Sequence, residues 1–438
     1  MRTLKVGPWV WLGFLSIAVG ANAGAAGGQQ TPTAIARAVD SEAASAVELL
    51  ARMVDINSGT FNRTGVHEVG KVLEAEFRAL GFQTHWVSMD AVGRAPHLVA
   101  ERAGRRGKRV LLIGHMDTVF EPSSPFRQFV RRGDVAFGPG AVDDKGGLVV
   151  MLSALKALKA AGALEGARLT VFITADEEHP GSPVATARAE FIEAGKHADA
   201  TLCFEAGMRF DGQDYVSTAR RGAESWTVSV SARSGHSGAI FTEAIGDGAI
   251  YELSRILNRF HDELREPDLT ISTGLTLGGV NTQVDPAGGG SAAGKDNIVP
   301  SSALALGDIR ALRPAQLDRV RERMRTIVAA SLPGTKSEIS FEDGYPPMAP
   351  TAGNAALLER YSEASQALGF GAVRALDPMR RGAGDSAFVA PYVDTISGLG
   401  AMGDGLHTTG ETIDLKVLPM QAKRAALMIY RLTLGTQQ

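Results

Sequence analysis

A single cysteine, Cys203, stands in the 438 residues, so the chain cannot form an internal disulfide and must rest on packing and on any metal it holds. Charge of one sign is also scarce. Lys+Arg number 45 against 48 Asp+Glu, a formal charge of −3, which argues against a basic nucleic-acid binder; no nucleic-acid partner is expected. Charged residues make up only 21% against 44% hydrophobic, enough to bury a sizeable core and to exclude disorder as the dominant state. No three-residue glycine repeat or long low-complexity tract occurs among the 51 glycines, which excludes collagen-like and linker-dominated chains. The length suits about two domains.

A long apolar run is missing as well. The stretch 6–21 is interrupted by glycines and is short for a bilayer span, so no stable membrane anchor is expected. Arg2 and Lys5 precede it and Ala21-Asn22-Ala23 follows, the layout of a secretory signal over residues 1–23. The mature chain would then be mildly acidic and periplasmic or secreted.

From Ser41 to about Tyr215 helix-like and strand-like segments alternate, which predicts an α/β mixed sheet with helices on both faces. Ser41 can cap a helix to residue 51 and Thr64 can open one to residue 80. Apolar strands are expected at 97–101, 109–113, 168–174 and 200–204, and a sheet-packed helix at 148–160. At 225–231 Trp and Val alternate with Ser and Thr, a one-sided strand that opens a smaller α+β unit. That unit would hold helices at 247–265 and 314–330, strands near Leu275 and at 303–309, and a Gly/Ala-rich loop at 286–294. Helices at 355–368 and 419–434 return the chain to the first domain. The expected organisation is a discontinuous catalytic domain, 40–216 with 335–438, and an inserted lid or dimerisation domain, 217–334.

Chemistry-bearing side chains gather at the predicted strand ends. Gly114-His115-Met116-Asp117 follows the strand 109–113, where open α/β sheets place ligands. His115 and Asp117 read either as a metal-ligating histidine oriented by a carboxylate or as a buried structural histidine. Gly138-Pro139-Gly140-Ala141-Val142-Asp143-Asp144 leads into a helix, where an acid can cap the helix or bind metal. Asp176-Glu177-Glu178 ends the strand 168–174. Three adjacent acids repel one another, so the segment is either a solvated turn or a place where one glutamate ligates a metal and its neighbour accepts a proton. Glu205 follows the strand 200–204, and His407 lies in the glycine-rich loop 403–411. Two histidines and several carboxylates suit zinc-like ions, and a bridging carboxylate can hold two of them roughly 3.5 to 4 Å apart.

Taken in order, these motifs resemble the dinuclear zinc exopeptidase family that includes glutamate carboxypeptidase, acetylornithine deacetylase, succinyl-diaminopimelate desuccinylase and aminoacylase. The resemblance runs from about Glu42 to the C-terminus and is nearest to glutamate carboxypeptidase. It implies two zinc ions, one on His115 and Glu205, the other on Glu178 and His407, with Asp143 bridging, Asp117 orienting His115 and Glu177 as general base. It also implies a cis peptide between Asp143 and Asp144. Ser234-Gly235-His236-Ser237-Gly238 resembles the family's histidine motif, although Gly235 replaces the usual Ser or Ala; His236 would stabilise an oxyanion from the partner subunit of a homodimer. Asn297-Ile298-Val299-Pro300 and Arg310 match its substrate-binding residues, and Gly384 falls in the segment Gly382-Ala383-Gly384-Asp385 that lines its site.

The implied activity is hydrolysis of an amide next to a free carboxylate, releasing a C-terminal amino acid from a small peptide. N-acyl-amino-acid deacylation is the alternative within the family, and a non-catalytic metal-binding periplasmic protein is the alternative outside it. A serine hydrolase is disfavoured because no Gly-x-Ser-x-Gly elbow occurs at a strand-to-helix turn.

Overall fold

The computed structural model describes Met1, Thr3, Leu4, residues 23–285 and residues 288–434. The expected signal segment, apart from these first few positions and the backbone of Ala23, lies outside the described residues. Among the described residues no helix is long and apolar enough to cross a membrane.

The larger domain is built on a mixed six-stranded sheet in the order Gln83–Val87, His97–Arg102, Ala167–Thr174, Arg106–His115, Ala200–Cys203, Thr395–Ser397. The first two pairings are antiparallel and the other three parallel. Parallel pairing brings the carboxyl ends of Arg106–His115, Ala167–Thr174 and Ala200–Cys203 to one edge, with His115 opposite Thr174 and Ile113 opposite Cys203.

The central strand shows why both faces must be covered. Val110 and Leu112 enter one core, together with the helices Ala23–Val54, Lys145–Ala160 and Val417–Thr433. Leu111 and Ile113 enter a second core with Phe191 and Phe388. Strict alternation of two apolar sets is the mark of a strand buried on both sides.

The inserted unit is a four-stranded antiparallel sheet, ordered Thr270–Gly279, Ser302–Arg310, Ala223–Ala232, Thr335–Tyr345. Trp226, Val228 and Val230 face the helices Ala249–Glu263 and Pro314–Ala329, while Ser225 and Ser229 on the other face are exposed. Because Thr335–Tyr345 pairs with Ala223–Ala232, the lid sheet extends past residue 334.

Three local expectations are corrected. Ser41 lies inside the helix Ala23–Val54, and its hydroxyl donates to the Ala38 carbonyl rather than capping. Asn62, not Thr64, caps the helix Arg63–Ala79 by accepting from the Gly65 N–H. The Gly/Ala-rich stretch at 286–294 is not all loop: Gly290–Ala293 pairs with Asn281–Val284, small residues having formed an exposed hairpin. Pro286 and Ala287, where that loop was expected to begin, lie outside the described residues.

Candidate active site

His115 ends its strand with its side chain buried, and its Nε2 lies 3.2 Å from Asp143 Oδ1. Asp143 turns its other oxygen to the second histidine: His407 Nε2 is 3.1 Å from Oδ2 and also 3.2 Å from Glu178 Oε2. The peptide between Asp143 and Asp144 is cis. Ligand-type atoms of His115, Asp143 and Glu178 lie within 4.8 Å of one another, as do those of His115, Glu177 and Glu205. The five side chains expected to hold metal, His115, Asp143, Glu178, Glu205 and His407, therefore converge around Glu177, although they span almost three hundred residues of sequence.

These groups perturb one another strongly. Burial pushes the Glu177 carboxyl well above the usual range, and the charges on Glu205 and Glu178 push it further. Burial raises Glu178 to about 7, against the pull of the His407 hydrogen bond. His407 is raised to about 10 by its contacts with Asp143 and Glu178. Desolvation would lower His115, yet hydrogen bonding to Asp117 and Asp143 prevails and raises it. Crowded buried carboxylates of this kind are relieved by cations.

Two arginines already engage Glu205. Arg220 Nη1 lies 3.2 Å and Arg381 Nη2 2.9 Å from Oε2, which leaves Oε1 for a metal ion. Desolvation of Glu205 is overcome by these two charges, and its pKa is lowered. Oxygen-rich donors with two imidazoles suit divalent zinc-like ions. The two oxygens of Asp143, each turned to a different histidine, suit a bridge between two ions.

Asp117 has a wider task than the expected orientation of His115. The His115 Nδ1–H donates to the Asp117 backbone carbonyl at 3.1 Å, with Oδ1 at 3.4 Å. The Asp117 carboxylate also accepts from the N–H groups of Glu177 (3.0 Å) and Glu178 (3.1 Å) and from the Thr60 hydroxyl. One buried acid thus sets both the histidine and the turn that presents the glutamates.

Asp144 stands at the N-cap position without capping the helix; its Oδ2 accepts from the His115 N–H at 3.3 Å.

The lid residues fall elsewhere. A cavity of about 340 Å³ is lined by Asp143, Glu177, Glu178, Glu205 and His407, but not by His236, Asn297 or Arg310. His236 is exposed, its Nδ1 accepting from the Gly238 N–H, and the Asn297 carbonyl accepts from the Ser237 N–H. Both lie beyond the Ser231–Ser302 rung of the lid sheet, whereas Arg310 pairs with Asp308 just past the Glu224–Ile309 rung. Seven residue steps separate those rungs, roughly 24 Å at the rise of an antiparallel strand. Gly384 does not line the cavity either. It backs Arg220, where a Cβ would come 2.3 Å from Nη1.

Sequence reading missed Arg220, Arg381 and Glu411. The Glu411 carboxylate accepts from the N–H groups of Gly140 (3.2 Å), Val142 (2.8 Å) and Asp143 (3.2 Å), so it ties the His407 loop to the bridging loop. Its position four residues after His407 was the available signal. Arg188, fully buried, joins Asp176 to Asp385 and so links the acidic turn to the 382–385 segment. A second cavity of about 350 Å³ on the sheet, near His85, Phe172 and His197, gathers no comparable cluster of ligands among the described residues.

Known proteins resemble this chain along most of its length. Carboxypeptidase G2 of Pseudomonas sp. (strain RS-16) is 29% identical over 424 residues, 94% of this chain and 95% of that protein. A succinyl-diaminopimelate desuccinylase of Acidiphilium cryptum (strain JF-5) is 27% identical over 372 residues, 82% of this chain and 90% of that protein. A Bacillus subtilis protein described as a dinuclear metal binding peptidase shares the fold, with a TM-score of 0.63 at 15% identity over 90% of this chain and 99% of that one. Residues 111–431 match peptidase family M20/M25/M40. With most of its length and its whole ligand cluster inside that match, the chain belongs to this family and is a metallohydrolase.

Proposed function

We propose that the enzyme hydrolyses an amide bond next to a free carboxylate, releasing a C-terminal amino acid from a small peptide. Two zinc ions would be held by His115 with Glu205 and by Glu178 with His407, bridged by Asp143. The observation that carries this reading is the Asp143 carboxylate, with one oxygen 3.2 Å from His115 Nε2 and the other 3.1 Å from His407 Nε2. When bound, such ions supply Lewis acidity to the carbonyl and acidify water.

The chain's own groups do the rest. Glu177 would take the proton from the attacking water and pass it to the leaving nitrogen; its side chain has no hydrogen-bond partner among the described residues and so is free to accept one. Asp117 fixes Glu177 through its backbone. Arg310 and Asn297 would hold the substrate carboxylate, the guanidinium offering a two-pronged fork, and His236 would stabilise the oxyanion. Because Arg310 and His236 lie at opposite ends of the lid sheet, one small substrate cannot touch both from one chain. A homodimer whose partner subunit supplies His236 and Asn297 resolves this. Residues 1–23 would direct export, placing the enzyme in the periplasm or outside the cell.

Deacylation of N-acyl amino acids is the second reading, favoured by the similarity to a desuccinylase. A panel of dipeptides and N-acyl amino acids, each tested with a free and an amidated C-terminus, tests the proposal. Cleavage only of the free acids, abolished by EDTA and restored by zinc, is expected. Equal cleavage of the amides, or activity untouched by the chelator, would contradict it.

A further inference from the structure

The side chain of Glu177 makes no hydrogen bond among the described residues, so its backbone must aim its carboxylate. A trans peptide unit is a rigid plane with an N–H at one end and a carbonyl at the other, and the two planes that meet at a Cα set where its side chain starts. Both planes flanking Glu177 are held at both ends. In the preceding one, the Asp176 carbonyl accepts from Arg188 Nη2 at 3.2 Å and the Glu177 N–H donates to Asp117 Oδ1 at 3.0 Å. In the following one, the Glu178 N–H donates to Asp117 Oδ2 at 3.1 Å and the Glu177 carbonyl accepts from the Tyr345 hydroxyl.

Tyr345 is the member of this clamp that comes from the other domain. It is the last residue of the lid strand Thr335–Tyr345 and pairs with Ala223, where the lid sheet joins the larger domain. Just beyond that pair, Arg220 and Met348 exchange backbone hydrogen bonds of 2.9 Å in each direction, which braces the crossing. The Tyr345 ring packs against Phe388 with centroids 5.2 Å apart, and the Arg188 guanidinium lies 5.4 Å from the centroid of the same ring. One phenylalanine thus seats both side chains that hold the carbonyls of the acidic turn. The hydroxyl of Tyr345 is placed by a packed ring and a braced strand, so it is a fixed donor.

We infer that Tyr345 is a positioning residue: its hydroxyl fixes the peptide plane that follows Glu177 and so keeps the Glu177 carboxylate within reach of the attacking water. The inference rests on the proposed amide hydrolysis for its rate readout but not for its backbone readout. A base moved out of line loses rate rather than substrate affinity.

Tyr345→Phe removes the hydroxyl and keeps the ring on Phe388. In the zinc-loaded enzyme it should lower kcat by about tenfold for the free acid that the wild type cleaves best and leave KM within about twofold. Zinc content and melting temperature should stay at the wild-type values. Tyr361→Phe, which deletes a buried hydroxyl bonded to Gln421 at 3.4 Å, should leave kcat unchanged. In a Glu177→Gln background, Tyr345→Phe should cost less than about twofold, because residues that act through one group are not additive. Amide exchange reads the clamp without turnover: the Glu177 and Glu178 N–H groups should exchange about 2- to 10-fold faster in Tyr345→Phe, the weight of one hydrogen bond. If the wild type cleaves nothing in the panel of dipeptides and N-acyl amino acids, the hydrolytic reading falls, and faster exchange still upholds the clamp. Unchanged exchange, an unchanged kcat, or a full tenfold loss retained in the Glu177→Gln background would overturn the inference. A loss of rate in step with zinc or melting temperature would make the hydroxyl merely structural and overturn it as well.

Discussion

The metal pocket and the lid use similar residue types to opposite effect. At the carboxyl edge of the six-stranded sheet, parallel strands deliver the ends that carry His115, Glu178 and Glu205 to one place, and the loops of Asp143 and His407 close over them. In the antiparallel lid alternate strands end at opposite edges, and the expected residues are separated accordingly: His236 and Asn297 at one end, Arg310 at the other. A site built on parallel strand ends is complete within one chain. A site shared with an antiparallel lid needs movement or a second copy.

The largest effect should come from the pocket. Glu177→Gln is expected to cut turnover by about 10²- to 10⁴-fold, the range for losing a general acid–base group, with two zinc ions still bound. Loss of zinc in step with activity would make Glu177 a ligand and redraw the cluster. His236→Ala should cost about 10²- to 10³-fold, as for removal of one oxyanion donor, again with zinc retained. Mixing inactive His236→Ala with inactive Glu177→Gln sharpens the contrast. Subunit exchange should restore activity, because one mixed site then has both groups; no recovery after demonstrated exchange would confine the lid's action to its own chain.

Glu411→Ala should weaken zinc binding by about 10- to 100-fold, as removal of outer-shell partners does, since three N–H groups around Asp143 lose their acceptor. Competition against a chromophoric chelator measures it, and unchanged affinity would show that the bridging loop holds itself.

The smallest effect lies away from both regions. Arg109 holds the Asp199 carboxyl at about 2, below its ordinary value of 3.8. The folded state thus binds this proton less readily than the unfolded one, so the stabilisation is full above about pH 3.8 and is lost as pH falls through 2. Both side chains are substantially exposed, and solvent screening keeps the contribution below about 1 kcal/mol. Asp199→Asn should therefore flatten the acid limb of the unfolding curve slightly; an identical limb would mean the pair contributes nothing.

The same contrast governs what could be read from the sequence. His115, Asp143, Glu177, Glu178 and Glu205 were legible because each follows a predicted strand or opens a helix, and a strand's carboxyl end is a place that topology makes meaningful. His407 was legible by its glycine-rich loop. Arg220 was not. Its role lies in contacts with Glu205, Gly382, Ala383 and Ser397, which no local pattern couples to residue 220. Gly384 was placed on the cavity because its motif borders it, whereas its absent side chain makes room for that arginine. The hairpin at 281–293 was missed because glycine, serine and alanine carry little strand propensity and gain their pairing only from the adjoining strand.

The most direct test of the central claim is anomalous diffraction from crystals of the zinc-loaded enzyme, recorded at the zinc edge. The account predicts two peaks per chain flanking the Asp143 carboxylate, one beside His115 and Glu205 and the other beside Glu178 and His407. A single peak, or zinc away from Asp143, would contradict it.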